Sequence, residues 1–247
     1  MLQETESRLA VLIDADNALA KNLKPIMDEI AKYGVPTIKH AYGDWAKLGE
    51  GWKNALLEIG AVPIQQYAYT TGKNATDAAM IIEAMDILHD GNVEGFVLIS
   101  SDSDFTPLAL RLRESGKKVY GIGEQKTPKP FIKACDKFVY VDVLTPDDQA
   151  TTPDKAVTKS SAAITQPQRK PISSKSVNFI AQCIQEAANE NGQCPLGSLG
   201  SLLNKKKPDF DSRNWGYSQL SKLLRAIDRF EVGGTGVHVW VKDKSAN

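Results

Sequence analysis

Three groups of acidic residues stand at positions suited to a hard cation. Asp14-Ala15-Asp16-Asn17 directly follows one apolar run, Asp77 opens an amphipathic segment, and Asp102-Ser103-Asp104 directly follows a second apolar run. In an open α/β sheet the ligand crevice lies beyond the carboxyl ends of the strands, near the point where strand order reverses, so acids that follow two central strands face one pocket. Two carboxylates about 5 Å apart repel by roughly 3 kcal/mol at an effective dielectric near 20. Several sharing a pocket need protons or cations, and an all-oxygen ligand set selects Mg²⁺ or Mn²⁺. The pattern therefore predicts metal-assisted chemistry in which the protein holds the ion.

Each acid has a competing structural explanation. Asp14 ends Ala10-Val11-Leu12-Ile13, a run suited to a strand buried on both faces, where an unpartnered carboxylate is costly. Asp16 and Asn17 also suit turns and helix N-caps, and Asn17 is read as shaping the pocket. Asp77, Ile81, Ala84 and Leu88 share one helical stripe, which turns the Asp77 carboxylate inward, although a helix N-terminus favours negative charge by itself. Asp86, at about 100° per residue, faces the opposite side from Asp77. Asp102 and Asp104 can both point into the crevice, and capping explains only one of them. Lys73 and Asn74, in the turn before Asp77, are candidates for phosphate contact.

The elements that would position these acids follow from the hydrophobic pattern. Short apolar runs at 9–13, 35–41, 61–65, 96–100, 118–121 and 137–143 alternate with amphipathic segments at 21–33, 45–59, 76–89 and 105–114, the signature of βαβ units around a parallel sheet. Gly34, Gly60, Gly95 and Gly116 fall between a helical pattern and the next run, where a helix end commonly needs positive φ. Residues 145–174 change to Thr, Ser, Pro, Ala, Gln and Lys with few large apolar residues and read as a flexible linker. The reading thus divides the chain into 1–144, the linker 145–174, and 175–247. Within the last part, 177–189, 196–203 and 217–228 are helical in pattern, and 230–232 with 237–241 form a hairpin around Gly233-Gly234-Thr235-Gly236, a winged helix.

Composition sets outer bounds. The chain has 247 residues with 30 Lys+Arg against 30 Asp+Glu, so no global field selects nucleic acid or an anionic membrane. Cys135, Cys183 and Cys194 show no CxxC spacing, which predicts a reducing compartment and no structural zinc. The first apolar run is too short for a membrane span, and a cytoplasmic protein is expected.

The motifs Val11-Leu12-Ile13-Asp14-Ala15-Asp16-Asn17, Gly72-Lys73-Asn74 before Asp77, and Ile99-Ser100-Ser101-Asp102-Ser103-Asp104-Phe105 together resemble the NYN domain of PIN-like ribonucleases, its LabA-like branch in particular. The resemblance covers residues 8–144. It implies a PIN-like three-layer fold with strand order 3-2-1-4-5, metal binding by Asp14, Asp77, Asp102 and Asp104, and a supporting role for Asn17. It further implies a Mg- or Mn-dependent ribonuclease. Metal-activated water would then cleave RNA by in-line displacement, leaving a 5′-phosphate and a 3′-hydroxyl. The three histidines, His40, His89 and His238, lie in separate segments and argue against a histidine-dependent mechanism.

Residues 175–243 resemble an OST-HTH/LOTUS domain through Gly192-Gln193-Cys194-Pro195-Leu196, Trp215-Gly216-Tyr217 and the ending Val239-Trp240-Val241. That resemblance implies binding to RNA, single-stranded or structured, or docking of a protein partner. Lys205, Lys206, Lys207, Arg213, Lys222, Arg225 and Arg229 are its candidate phosphate contacts, while Trp215 and Tyr217 suit either base stacking or the core. Two alternatives stay open on sequence: a non-catalytic RNA-binding regulator, and a haloacid-dehalogenase-like phosphatase. The second also begins with Asp-x-Asp, but this chain lacks the Thr or Val expected after Asp16.

Overall fold

The structure is a computed structural model describing residues 6–66, 75–145, 169–236 and 238–245. The chain separates into two compact units, Met1–Thr145 and Pro146–Asn247. The segment read as a linker lies mostly outside the described residues, as do Lys73 and Asn74.

In the first unit, strands β1 (Arg8–Asp14), β2 (Val35–Gly43), β3 (Val62–Gln65), β4 (Gly95–Ile99), β5 (Lys118–Gly123) and β6 (Lys137–Tyr140) form one sheet in the order β3-β2-β1-β4-β5-β6. Every pairing is parallel. The order expected from the resemblance is present, with β6 added beside β5. Helices α1 (Leu23–Ile30), α2 (Glu50–Ile59), α3 (Ala75–Asp90), α4 (Thr106–Glu114) and α5 (Lys129–Ala134) complete the unit. Helix α5, the crossover between β5 and β6, has no counterpart in the hydrophobic pattern because it is short, with Pro128 at its N-cap and Pro130 in its first turn.

Strand alternation sends side chains into two separate cores, and this makes the unit three layers deep. Ala10 and Leu12 of β1 and Phe96 and Leu98 of β4 pack with Met80, Leu108, Leu112 and Phe131 from α3, α4 and α5. Leu9, Val11 and Ile13, with Val97 and Ile99, pack on the other face with Ile26, Ile30, Trp52 and Leu56 from α1 and α2. Both central strands are covered on each face, so their sequences read as continuous apolar runs. Burial along α3 centres on Met80, Ala84 and Ile87, with Ile81 and Leu88 at the margin. The inward stripe is therefore turned slightly from the one that sequence spacing suggests. Asp86 is exposed, as its position on the helix requires. His40 Nδ1 of β2 meets Glu83 Oε1 of α3 and fastens the helix to the sheet.

One glycine expectation needs correction. Gly95 lies inside β4, where an added Cβ would come within 3.0 Å of Leu9 Cδ2 and of the Lys118 carbonyl oxygen. The left-handed residue after α3 is Gly91, at φ 69°.

The second unit contains α6 (Ser174–Ala187), β7 (Cys194–Pro195), α7 (Leu196–Lys206), α8 (Leu220–Arg225), β8 (Phe230–Gly233) and β9 (Trp240–Asp243). Its antiparallel sheet has the order β7-β9-β8, and the core gathers Ile180, Ile184, Leu199, Leu203, Leu223, Phe230 and Val241. The two-residue β7 is too short for a sequence signal. Helix α8 is shorter than expected: Gln219 before it is extended, at φ −146°, and the helix closes at Ala226. Arg229, expected to be available for phosphate, instead grips buried Asp243 through two bonds, Nε to Oδ1 at 2.9 Å and a second guanidinium nitrogen to Oδ2 at 2.7 Å. That pairing, with Ser245, holds the Asp243 carboxyl down at about 2.

Because the folded value lies below the ordinary carboxylate range, this stabilisation is complete above about pH 4 and is lost as pH falls toward 2. Arg229→Met should lower the stability of the second unit at pH 7, because it leaves the buried Asp243 carboxylate without its main partner. Thermal melting should show that transition moving down while the transition of the first unit stays in place.

Candidate metal centre

Parallel pairing sets the frame of the site. Ile13 pairs with Ile99, so Asp14 of β1 and Ser100 after β4 emerge side by side where the strand order reverses. Asp14 is fully buried, and four donors satisfy its carboxylate. Oδ2 accepts from Ser100 Oγ at 2.7 Å and from Asn17 Nδ2 at 2.8 Å. Oδ1 accepts from the backbone N–H groups of Asp16 at 3.2 Å and Asn17 at 3.3 Å. Burial pushes the Asp14 carboxyl upward, and the bonds from Ser100 and Asn17 oppose that rise.

Ser100 also connects the two acidic motifs. Its Oγ donates to Asp14 and accepts from the Asp102 N–H at 3.0 Å. Asp102 then caps the 3-10 turn Ser103–Phe105, its Oδ1 accepting from the Asp104 N–H at 2.9 Å. Helix α3 brings Asp77 to the same place from another layer. Its preceding Thr76 donates from Oγ1 to Asp16 Oδ2 at 2.8 Å, which ties the start of the helix to the β1 loop.

Asp77, Asp102 and Asp104 each present a carboxylate oxygen, all within 4.8 Å of one another. Asp14 is outside this group and sits behind it, its lone pairs directed at protein donors. The structure thus brings together three of the four acids assigned to metal by sequence, with the fourth as a buried neighbour. Asn17 contacts Asp14, and Asp16 contacts Thr76. Sequence reading did not single out Ser100 or Thr76. The only signal for Ser100 was its place between an apolar run and an acidic pair, and Thr76 gave none.

Asp77 carries the electrostatic cost of this clustering. Burial first, and then the charges of Asp14, Asp102, Asp104 and Asp16, together raise the Asp77 carboxyl to about 6. Among the described residues no lysine or arginine forms an ion pair with Asp77 or Asp102. Three carboxylates converging within 4.8 Å offer the all-oxygen donor set of a hard divalent ion, so the residues fit Mg²⁺ or Mn²⁺.

The candidate phosphate contacts of the second unit separate into different roles. Lys206 is paired with Glu186, and Arg213 with Asp211 at 2.6 Å. Lys222 donates to Ser218 Oγ at 3.0 Å. Lys205 and Arg225 are exposed, and Lys207 is half-buried beside an aromatic groove. Tyr217 carries the Arg169 guanidinium over its ring at 5.2 Å.

A family model for the NYN domain matches residues 8–143, including every residue of the acidic site. The chain belongs to the NYN-domain family. Its NYN unit is followed by an OST-HTH/LOTUS domain matched over residues 171–241. NYN domains have a PIN-like, nuclease-type fold, and the OST-HTH/LOTUS domain points to RNA. An uncharacterized protein of Methanocaldococcus jannaschii is 28% identical over 124 residues, 49% of this chain and 49% of its own, so the match spans about half of that curated relative. The crystal structure of a Vibrio parahaemolyticus protein of unknown function shares the fold at a TM-score of 0.50 and 20% identity, covering 57% of this chain and 97% of that one. No helix among the described residues is long and apolar enough to cross a membrane.

The raised Asp77 value fixes the sign of a pH effect. Its folded value of about 6 exceeds the ordinary 3.8, so ionisation opposes folding, with a penalty that is absent below about pH 4 and complete above pH 6. In EDTA, Asp77→Asn should therefore melt higher than wild type at pH 7.5 and lose that advantage at pH 4. Mn²⁺ should raise the melting temperature of the wild type at pH 7.5 and leave that of Asp77→Asn nearly unchanged.

Proposed function

We propose that this chain is a divalent-metal-dependent ribonuclease that hydrolyses RNA phosphodiester bonds, with its OST-HTH/LOTUS unit engaging RNA. The observation that carries the reading is the convergence of Asp77, Asp102 and Asp104 within 4.8 Å in a site where burial and neighbouring acids already raise Asp77. The NYN match supports the nuclease class over the phosphatase class, since it spans all three acidic motifs in order.

In this proposal Asp77, Asp102 and Asp104 hold Mg²⁺ or Mn²⁺. When bound, such an ion stabilises charge on the phosphoryl oxygens and acidifies the attacking water. Ser100 fixes the backbone that carries Asp102, using Asp14 as its anchor. Asn17 holds Asp14 in one rotamer, and Thr76 with Asp16 sets where Asp77 enters the crevice. A bound cation would favour the ionised form of Asp77, which burial and the neighbouring acids disfavour. No side chain here is asked to act as a nucleophile. The second unit raises the local concentration of RNA near the nuclease unit without supplying catalytic groups.

Labelled single-stranded RNA incubated with Mn²⁺ or Mg²⁺ should be cut to products bearing a 5′-phosphate and a 3′-hydroxyl, and EDTA should stop the reaction. Asp102→Asn should reduce the rate by about a hundredfold or more, the scale of losing a principal electrostatic contributor. Metal-independent cleavage, or cleavage that survives Asp102→Asn, would assign the activity elsewhere.

A further inference from the structure

The second unit has a groove whose lining includes Lys175, Ser176, Phe179, Lys207, Phe210 and Trp215, with about 220 Å³ of free space. Phe210 belongs to the core beneath and Phe179 and Trp215 pack against it, but two lysines stand beside them. Lys175 lies in the first turn of α6, a turn without acidic residues, and Lys207 follows the last turn of α7. Neither lysine forms an ion pair among the described residues, whereas the adjacent Lys206 is neutralised by Glu186. The positive end of the α6 dipole adds to the charge of the two lysines, so one side of the groove suits an anion.

The other side is aromatic. Phe210 is nearly buried and forms the floor, with Phe179 and Trp215 packed against it at ring separations of 6.4 and 5.5 Å, each tilted by 49°. Phe179 and Trp215 are only partly buried, and both line the groove. Tyr217 does not serve in the same way, because one face of its ring is covered by Arg169. A ligand matching both sides carries a phosphate and an exposed planar ring. A single nucleic-acid strand offers both, while a duplex hides its rings in the stack.

We infer that this groove is the RNA-docking site of the second unit, where phosphates meet Lys175 and Lys207 and an unpaired base lies against Trp215 and Phe179. The inference rests on the reading that the second unit binds RNA and names where and in what form it does so. It also moves the binding surface away from Lys206 and Arg213, both held by carboxylates.

The test uses the full chain in EDTA, with a fluorescein-labelled single-stranded RNA and its duplex followed by anisotropy. Lys175→Glu/Lys207→Glu should weaken single-strand binding by about tenfold or more and lower the salt dependence by about two phosphate contacts. Lys242→Glu/Lys244→Glu makes the same change in charge away from the groove and should alter affinity by less than about threefold. RNA should quench tryptophan emission in the wild type, with most of the quenching absent in Trp215→Phe, and circular dichroism should confirm that every variant is folded. Wild-type RNA binding that the groove double variant leaves intact, or equal binding of duplex without quenching, overturns the inference and leaves RNA binding by the chain standing. A wild-type chain that binds no RNA defeats both.

Discussion

Asp14 is buried at the point where the sheet reverses its strand order, and the geometry of the acidic centre depends on how that carboxylate is held. A carboxylate there without donors would be expelled or protonated, because desolvation disfavours its charge. Asn17, Ser100 and two backbone N–H groups supply the donors. The same Ser100 hydroxyl accepts from the backbone of Asp102, so satisfying one buried acid also fixes the loop carrying the next two. Electrostatic need and geometric placement are met by one side chain.

The remaining acid arrives from a different layer, which makes the site sensitive to how α3 seats on the sheet. Met80, Ala84 and Ile87 bury its apolar face, the Glu83–His40 contact fastens it to β2, and Thr76 ties its start to the β1 loop. The packing energy of the core therefore holds Asp77 against the repulsion of its neighbours. The raised Asp77 carboxyl records that opposition, since its charged form is disfavoured where the fold has put it. A divalent ion would convert the conflict into a stabilising interaction, which is how a metal site can oppose folding when empty and support it when loaded.

Much of this was legible because parallel sheets write themselves plainly. The apolar runs before Asp14 and Asp102 mark two central strands, and strand ends in this architecture share one crevice. The α3 periodicity placed Asp77 on the inward side to within a small rotation. What escaped reading has local causes. Helix α5 is too short and too rich in proline to show periodicity, and β7 is two residues long. Gly91 rather than Gly95 takes the left-handed position, a choice settled by close contact between β4 and its neighbours. The pairing of Arg229 with Asp243 and of Lys206 with Glu186 joins residues distant in sequence, so a count of basic residues overstated the charge free to meet RNA. The reach of Ser100 to both acids likewise depends on strand register, which a linear pattern does not contain.

The central claim is that Asp77, Asp102 and Asp104 form the seat of a divalent cation. A crystal structure of the protein grown with MnCl₂, with anomalous data collected above the manganese edge, tests it directly. The account predicts an anomalous peak bonded to oxygens of those three carboxylates, with Asp14 still held by Ser100 and Asn17. An acidic cluster without such a peak, or one filled by a lysine or arginine side chain, would contradict it.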